Sequence, residues 1–216
     1  MSHRLEPRLR RGSEVLGLRL SDTQYQYLLT YIDLLQKWNR VYNLTAVKDP
    51  EQMLTQHVLD CLAVVRPLKE TAPLAKSMLD VGAGGGLPSV ILAIACPELA
   101  VLAVDAVAKK TAFIQSTAHT LGLANLQAQH TRVESLDQIF DVVSSRAYAS
   151  LTDFVTTSRA CLAPNGWWMA MKGVVPTEEI TQLPIDVEAV KTQPLSVPGL
   201  DAHRCLVWMR PKQAAA

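Results

Sequence analysis

Apolar residues recur at helical spacing in two segments of the first third of the chain. A capping box of the form Ser-x-x-Gln at residues 21–24 opens the first segment, and the apolar positions after it predict a helix over residues 22–38. The second segment begins at Pro50, a residue type that suits the first position of a helix, and we expect this helix to end at Pro67. Two helices are therefore predicted before the first strand.

Two stretches beside these helices attract attention through their polar residues. The stretch 38–45 is aromatic, amide-rich and basic, and we expect a loop that either packs against a neighbouring domain or contacts nucleic acid. The first segment of the chain is either a solvated tail or an arm that contacts phosphates, because arginines crowd it. These arginines are Arg4, Arg8, Arg10 and Arg11. Residues 1–76 are thus predicted to form an N-terminal arm and a helical cap.

From residue 77 onward, apolar strand candidates alternate with helical stretches. This alternation predicts a mostly parallel sheet that helices cover on both faces. The last two strand candidates are joined by a region rich in proline, and we expect them to pair antiparallel at the edge of the sheet. The seven predicted strands cover residues 78–81, 101–104, 127–130, 140–144, 167–171, 187–190 and 205–208, and the predicted helices cover residues 88–96, 109–121 and 150–162.

A glycine-rich turn joins the first strand of this region to its first helix. Residues 82–86 read Gly-Ala-Gly-Gly-Gly, and Pro88 follows at the expected start of the helix. Glycines let a ligand approach bare backbone, and the N–H groups at a helix N-terminus can bind it. In open α/β sheets ligands bind outside the carboxyl ends of the strands, which is where this turn lies. The sequence therefore predicts a nucleotide-like ligand here.

The spacing of the glycines distinguishes between two cofactors. A dinucleotide-binding turn reads G-x-G-x-x-G, and although Gly82 and Gly84 fit this pattern, Leu87 replaces its third glycine. The stretch is better described as Asp80 followed by alternating glycines. It resembles in this respect the class I methyltransferases that use S-adenosylmethionine. A nicotinamide dehydrogenase is accordingly disfavoured.

Two acidic residues follow later strands at positions that suit a nucleoside. Asp105 ends the second strand, about 20 residues after the glycine turn, where a carboxylate accepts both ribose hydroxyls in dehydrogenases and methyltransferases alike. The alternative for Asp105 is a solvated turn residue. Val133 and Glu134 follow the third strand, where class I methyltransferases hold the adenine, and the alternative is that Glu134 only caps the next turn.

The fourth strand ends without a motif for methylation of base amines. Enzymes that methylate exocyclic amines usually carry a D/N-P-P-Y/F run here, and residues 140–148 lack it, which disfavours adenine N6 and cytosine N4 as targets. Cytosine C5 enzymes need a nucleophilic cysteine, and no cysteine ends a predicted strand near the glycine turn. The strand offers a cation instead, Arg146, whose alternative role is a surface salt bridge.

Composition narrows the setting of the protein. The chain has 216 residues and a formal net charge of +1, which neither demands nor excludes a polyanionic partner. No apolar run approaches the ~20 residues of a membrane span, and the first residues lack the apolar core of a secretion signal, so we expect a cytosolic protein. The four cysteines show no C-x-x-C spacing, which predicts free thiols in the core and neither a disulfide framework nor a metal site.

Taken together, the motifs along nearly the whole chain are similar to those of the RsmG (GidB) family, and they come in the same order. Members of this family are bacterial methyltransferases that modify a guanine N7 in 16S ribosomal RNA. The turn departs from the family pattern at Ala83, Gly85 and Ser89, but it keeps the spaced glycines and the Leu87-Pro88 pair. The matching stretches are residues 37–45, His57 and Asp60, residues 82–88, residues 132–134 and residues 145–147.

The resemblance implies a fold, a cofactor and a set of site residues. It implies a Rossmann-like class I methyltransferase fold over residues 77–216, with S-adenosyl-L-methionine as cofactor and 16S rRNA or the small ribosomal subunit as partner. We expect a monomer. The implied cofactor contacts are Gly82, Leu87, Val133, Glu134 and Arg146, and the wider class I pattern adds Asp80, Gly84 and Asp105. Arg146 is also the candidate catalytic residue, with the cofactor carboxylate as its favoured contact over the guanine or a phosphate.

Guanine N7 carries a lone pair and no proton, so its methylation needs no general base and depends mainly on alignment. This agrees with a sequence that shows neither a His/Asp pair nor a nucleophilic cysteine. RNA contacts are expected from the N-terminal arginines, Lys109, Lys110 and residues 38–43. Two other interpretations stay open: a small-molecule methyltransferase with an enclosed apolar pocket, and an RNA-binding module with a basic rim and no cofactor.

Overall fold

A computed structural model of the protein describes residues 2–148 and 150–212, and it contains a seven-stranded sheet of order β3-β2-β1-β4-β5-β7-β6. The five neighbouring strands β3, β2, β1, β4 and β5 pair in parallel, and β7 pairs antiparallel with both β5 and β6. The predicted antiparallel pair at the sheet edge is thereby confirmed. The strands are β1 Ser77–Val81, β2 Ala100–Asp105, β3 Leu126–His130, β4 Phe140–Arg146, β5 Leu162–Lys172, β6 Val187–Pro194 and β7 Cys205–Pro211.

Helices precede the sheet and cover both of its faces. The helices are α1 Glu6–Val15, α2 Asp22–Tyr42, α3 Pro50–Met53, α4 Asp60–Leu62, α5 Val65–Thr71, α6 Ser89–Ala95, α7 Ala108–Leu121, α8 Leu151–Thr157 and α9 Thr177–Thr181. A π-helical turn, Leu54–Leu59, joins α3 to α4, and short 3-10 turns occur at Ser2–Leu5, Val133–Ser135 and Arg159–Cys161. In the part of the chain that the structure describes, every helix is too short or too polar to cross a bilayer.

Helix α2 is longer than the predicted 22–38, so the first half of the predicted loop 38–45 is helical. The extension is stabilised by Trp38, whose ring lies 5.3 Å from that of Tyr42 and 5.5 Å from that of Phe113, measured between centroids. The helix ends at Asn43, which takes the left-handed conformation common at helix C-termini. Trp38 therefore packs between helices, as the domain-packing alternative expected.

Pro67 does not end the second predicted helix. That helical run stops at Leu62, and Pro67 lies in the first turn of α5. Proline is tolerated there because the first N–H groups of a helix have no intrahelical partner. The prediction was wrong because proline marks the start of a helix as readily as its end.

The N-terminal segment is not a solvated tail, and contact of its arginines with phosphates stays a prediction. Leu5 and Leu9 are buried at 1% and 0% exposure, so α1 packs on the other helices. Arg8 donates to the Glu51 carboxylate at 2.7 Å and to the Thr55 hydroxyl at 2.6 Å. The signal that the sequence did offer was the helical spacing of the leucines between the arginines.

Helix α2 connects the helical cap to the sheet layer. The Gln24 side-chain amide donates to the Ile94 carbonyl at 2.7 Å, and the Tyr31 hydroxyl donates to the Gly85 carbonyl at 2.7 Å. Helix α2 thus runs antiparallel to α6, towards the glycine turn. One apolar cluster contains residues of the cap together with residues of α6 and α7, and all four cysteines are free and buried. The predicted division into residues 1–76 and 77–216 stays a prediction, and Met1 and residues 213–216 lie outside the described residues.

A core substitution in α1 tests whether this helix is structural. Leu9→Ala should lower the free energy of unfolding by about 2–5 kcal/mol, because it removes a buried side chain. Arg11→Ala, at an exposed position of the same helix, should change it by less than about 0.5 kcal/mol. Urea denaturation followed by circular dichroism measures both values. Equal stability of the two variants would show that α1 does not pack as described.

Candidate active site at the carboxyl edge of the sheet

The glycine turn between β1 and α6 presents backbone to the carboxyl edge of the sheet. Gly82, Gly84 and Gly86 all have positive φ angles, at 70°, 57° and 79°. The N–H groups of Gly82 and Ala83 donate to the Val104 carbonyl at 2.9 and 3.0 Å, which fixes the turn against β2. At Gly86 an added Cβ would lie 2.4 Å from Cγ2 of Val90, so only glycine fits there.

Asp80, near the end of β1, stabilises this turn through hydrogen bonds. Its carboxylate is fully buried and accepts hydrogen bonds from the Ser89 backbone N–H at 3.1 Å and the Ser144 hydroxyl at 3.3 Å. Burial raises the pKa of Asp80 to about 6, although the hydrogen bonds from Ser89 and Ser144 oppose the shift. Asp80 thereby joins the strand before the turn to the helix after it, and its predicted contact with a cofactor stays a prediction.

A small cavity opens beside the turn, and we call it the Asp105 cavity. Its volume is about 140 Å³. It brings together four of the predicted cofactor contacts: Gly82, Asp105, Val133 and Glu134. The other lining residues are Val81, Val104, Ala106, Thr131, Arg132 and Tyr148. Residues that follow three different strands thus converge at one place, because all three strands are parallel.

Asp105 is positioned by backbone donors. One carboxylate oxygen accepts from the Gly84 N–H at 3.0 Å and the other from the Val107 N–H at 2.9 Å, while the Lys110 ammonium lies 3.4 Å away. At 6% exposure Asp105 is not a solvated turn residue. Each carboxylate oxygen keeps a further lone pair, so the group can still accept hydrogen bonds from two neighbouring hydroxyls.

Gly84 and Leu87 lie outside the walls of this cavity. Gly84 acts through its N–H on Asp105, and Leu87 is buried at 5% exposure with its N–H on the Ala83 carbonyl at 3.1 Å. Both residues shape the turn. Whether either also contacts a cofactor stays a prediction.

A second and larger cavity, the Arg146 cavity, lies where the helical cap meets the ends of β4 and β5. Its volume is about 380 Å³. Arg146 donates to the Asp60 carboxylate at 3.1 Å and to the Gln56 carbonyl at 3.2 Å, and Arg204 donates to the other oxygen of Asp60 at 2.9 Å. The lining residues are Gln56, His57, Asp60, Arg146, Ala147, Met171, Lys172, Gly173 and Arg204.

The charges around the Arg146 cavity do not cancel. Asp60 is the one carboxylate that both arginines contact, and the third cation, Lys172, is paired with Glu179 at 2.8 Å. Burial raises the pKa of Asp60, and the charges of Arg146 and Arg204 oppose that shift. Two arginines against one carboxylate leave an excess positive charge, which suits an anionic ligand.

His57 lies in the π-helical turn and is uncharged at neutral pH. Burial and then the charge of Arg146 lower its pKa to about 4. The Nε2 atom lies 2.8 Å from the Thr45 hydroxyl, and that hydroxyl accepts the Val47 N–H at 3.2 Å. Nδ1 lies 2.9 Å from the Gln56 carbonyl. The geometry therefore assigns the proton to Nδ1, with Nε2 accepting from the threonine hydroxyl.

A strained turn separates the two cavities. Ala147 has a φ of 62°, a conformation that non-glycine residues rarely adopt outside functional sites. Ala147 lines the Arg146 cavity, whereas the next residue, Tyr148, lines the Asp105 cavity. The Tyr148 hydroxyl is held at 3.1 Å from that of Thr157. One short turn thus forms a wall of both sites.

Tyr148 and Arg204 line the two cavities but were not predicted from the sequence. Tyr148 follows Arg146 by two positions, and an aromatic residue just past a strand end was an available signal. Arg204 is distant in sequence from every other site residue and precedes the antiparallel strand β7. His57 and Asp60 were noted only through the family resemblance, without a role.

The low pKa of His57 predicts how stability depends on pH. The unfolded chain takes up a proton near pH 6.5 but the folded protein only near pH 4, so this group lowers stability as the pH falls from about 6.5 to about 4. NMR titration of the imidazole should give a pKa near 4. Arg146→Gln should raise this pKa because it removes a nearby positive charge. Lys191→Gln, which removes an exposed charge on the edge strand β6, should leave it unchanged. An ordinary pKa in the wild type would contradict the buried site.

Comparison with known proteins places the chain in a family. Residues 24–207 match the family model described as GidB: rRNA small subunit methyltransferase G. A relative named Ribosomal RNA small subunit methyltransferase G, from Methylibium petroleiphilum, is 56% identical, with 94% of this chain and 93% of the relative covered. A relative of the same name from Acidovorax ebreus is 55% identical, with 96% of each chain covered.

Solved structures of lower identity share the fold. TrmN from Thermus thermophilus matches with a TM-score of 0.55 and 17% identity, covering 74% of this chain and 53% of that one. The ribosomal protein L11 methylase from Lactobacillus delbrueckii subsp. bulgaricus matches with a TM-score of 0.57 and 16% identity, covering 70% and 78%. The chain therefore has the predicted class I methyltransferase fold with an N-terminal helical region, and it belongs to the GidB family, rRNA small subunit methyltransferase G.

Proposed function

We propose that this protein transfers the methyl group of S-adenosyl-L-methionine to N7 of a guanosine in 16S ribosomal RNA. The observation that carries the proposal is the pair of cavities at the carboxyl edge of the sheet, divided by the turn 146–148. One cavity suits a nucleoside, and the other, with its excess positive charge, suits the carboxylate of the cofactor and polyanionic RNA. Curated relatives more than half identical to this chain are named as methyltransferases of small-subunit rRNA, which supports the choice of substrate.

The Asp105 cavity fits the adenosine part of the cofactor. Asp105 offers free lone pairs to the ribose hydroxyls, and Val81, Val104 and Val133 supply apolar surface for the adenine. The cavity of about 140 Å³ is smaller than the usual ligand pocket of roughly 300–1,000 Å³, so it accounts for only part of the molecule. The glycine turn and Arg146 would hold the methionine part of the bound cofactor.

Arg146 is proposed to hold the cofactor carboxylate and is the proposed catalytic residue. Its Nη1 donates to Asp60 and Gln56, its Nη2 lies 3.5 Å from Nδ1 of His57, and its side chain is still 24% exposed. A guanidinium with several donors in a fixed plane can bind a second carboxylate while it keeps the first. The excess positive charge of the cavity favours this contact.

The residues of the acceptor site are suited to alignment rather than to proton transfer. When bound, the cofactor supplies an electrophilic methyl group, and guanine N7 supplies a lone pair without losing a proton. His57 is neutral with both ring nitrogens engaged, and Asp60 is engaged by two arginines, so neither is poised as a base. The hydrogen bonds of these two residues hold the cavity wall in place, which suits a reaction that depends mainly on alignment. A small-molecule substrate is less well supported, because the lining is charged rather than enclosed and apolar.

The predicted cytosolic location and monomeric state remain part of the proposal. A protein that modifies the small ribosomal subunit meets its substrate in the cytosol. The basic and polar side chains around the Arg146 cavity favour RNA over an apolar ligand.

Mapping of modified nucleosides tests the proposed reaction. Deletion of the gene should remove one 7-methylguanosine from 16S rRNA, and wild-type protein with S-adenosylmethionine should restore it in small subunits from the deletion strain. Mass spectrometry of nuclease fragments locates the mark. S-adenosylhomocysteine should raise the melting temperature of the protein, and NAD should not. Deletion without loss of any such mark, or stabilisation by NAD alone, would refute the proposal.

The role of Arg146 is tested by comparison with Arg204, since both contact Asp60 in the same cavity. Arg146→Ala should weaken binding of S-adenosylhomocysteine by roughly 10- to 100-fold, the value of a lost hydrogen bond to a charged group. Arg204→Ala should change the dissociation constant by less than about threefold. Both variants lose a contact to Asp60, so a larger effect in Arg146→Ala reports a contact that only Arg146 makes. Isothermal titration calorimetry measures both constants. An unchanged constant in Arg146→Ala would reassign that arginine to the RNA.

A further inference from the structure

The end of α2 and the loop after it form a basic surface that neither cavity described above includes. This inference rests on the proposed function and concerns how the RNA is held. We call residues 37–48 the α2 extension. Between Leu34 and Lys48 the chain carries three basic residues and no acidic one: Lys37, Arg40 and Lys48. All three are exposed, and among residues 2–148 and 150–212 no ion pair is found for any of them.

The α2 extension lies towards the carboxyl edge of the sheet. Helix α2 contacts the glycine turn through Tyr31 and then continues to Tyr42, a further rise of ~16 Å. The loop after it returns to the Arg146 cavity. The Asn39 side chain accepts the Thr45 N–H at 2.8 Å, and the Thr45 hydroxyl lies 2.8 Å from His57, which lines that cavity. The basic surface is thus joined to the acceptor site by two direct contacts.

A polar cavity lies within this surface and gathers its cations. We call it the Arg40 cavity, and its volume is about 380 Å³. Its lining residues are Gln36, Asn39, Arg40, Asn43, Lys48 and Met53. Two cations and three side-chain amides therefore converge on one concave site. Asn39 is buried at 6% exposure and hydrogen-bonded on both amide atoms, so the floor of the cavity is fixed.

Acidic residues flank this site, since Asp33 lies one helical turn before Lys37 and Asp49 and Glu51 follow Lys48, but none of the three lines the Arg40 cavity. Asp49 follows Lys48, but its carboxylate accepts the Gln52 N–H at 3.3 Å as a helix cap. Glu51 is paired with Arg8 at 2.7 Å. Tyr42 is 39% exposed and Val41 70% exposed beside the cations. Lysine and arginine with an accessible aromatic ring are the groups that bind the backbone and the bases of irregular RNA.

We propose that the Arg40 cavity and the exposed end of α2 bind the phosphodiester backbone of the 16S rRNA beside the target guanosine, while the guanine enters the Arg146 cavity. Guanine N7 lies in the deep major groove of an RNA helix, so the target must be presented from a loop or an opened strand. A second anchor on the flanking backbone holds such a strand in place. An acidic protein segment would fit the same cations, and the experiment below separates it from RNA.

The test is a triple variant, Lys37→Gln, Arg40→Gln and Lys48→Gln, with a matched control, Arg66→Gln, Lys69→Gln and Lys76→Gln. The control removes the same charge from exposed side chains of α5 and of the residue before β1, at the opposite edge of the sheet. A further variant that exchanges Lys37 and Lys48 for arginine and Arg40 for lysine keeps the charge. Binding of protein-free 16S rRNA from the deletion strain is measured at several salt concentrations.

The triple variant should bind the rRNA at least about tenfold more weakly, and the slope of log K against log salt should fall by about 2, as expected for three lost contacts to single-stranded phosphates. The control and the charge-conserving variant should bind within about twofold of the wild type. Binding of S-adenosylhomocysteine and the melting temperature should stay unchanged in all of them. Equal binding by the triple variant and the control would overturn the inference.

Two other outcomes are distinguishable. If the triple variant binds intact small subunits weakly but protein-free rRNA normally, the partner of the α2 extension is a ribosomal protein and the inference is wrong. If the wild type makes no 7-methylguanosine in either substrate, the proposed function is wrong. The modification assay on the wild type detects this failure, and the binding measurements on the variants do not.

Discussion

A buried carboxylate, Asp60, holds the helical cap to the sheet. It is 1% exposed and accepts hydrogen bonds from Arg146 at the end of β4 and from Arg204 just before β7. Burial of a charge is costly, and only well-placed partners on its oxygens offset that cost. Because β4 and β7 lie on either side of β5, the two contacts fix the cap across three neighbouring strands. The shape of the Arg146 cavity therefore depends on this one group.

The glycine turn is fixed from two sides, by β1 and by the helical cap. The Asp80 carboxylate accepts the first N–H of α6, and the hydroxyl of Tyr31 in the helical cap donates to the Gly85 carbonyl. Gly85 is one of the positions at which the turn departs from the family pattern, and an added Cβ there would lie 3.3 Å from Leu35. The extra glycine is thus accommodated by close packing of α2, which offsets the flexibility that it introduces.

Most of the sheet could be predicted from sequence, because parallel strands buried on both faces leave apolar runs that end at polar turns. Four residues that line the Asp105 cavity follow from the same rule, since Gly82, Asp105, Val133 and Glu134 lie at or soon after the end of a strand. The ends of the helices were harder, as Trp38 and Pro67 show: packing on Phe113 extends one helix, and proline is compatible with a helix start. The position of Arg204 could not be predicted, because it depends on the reversal at β7, whereas Tyr148 had a signal in the sequence but its direction depends on the left-handed turn at Ala147.

Helix α2 combines two contacts in one rigid rod, and this limits how its length can change in evolution. Tyr31 must point at the glycine turn, while Asn39, two turns further on, must point at the loop that leads to His57. Deleting a single residue between them would rotate the second contact by ~100° about the helix axis. Substitutions on the exposed face are free of this limit. Inserting or deleting a whole helical turn would keep the direction of Asn39 but shift it by ~5.4 Å along the axis, so the spacing of these two residues is set by angular phase and by reach together.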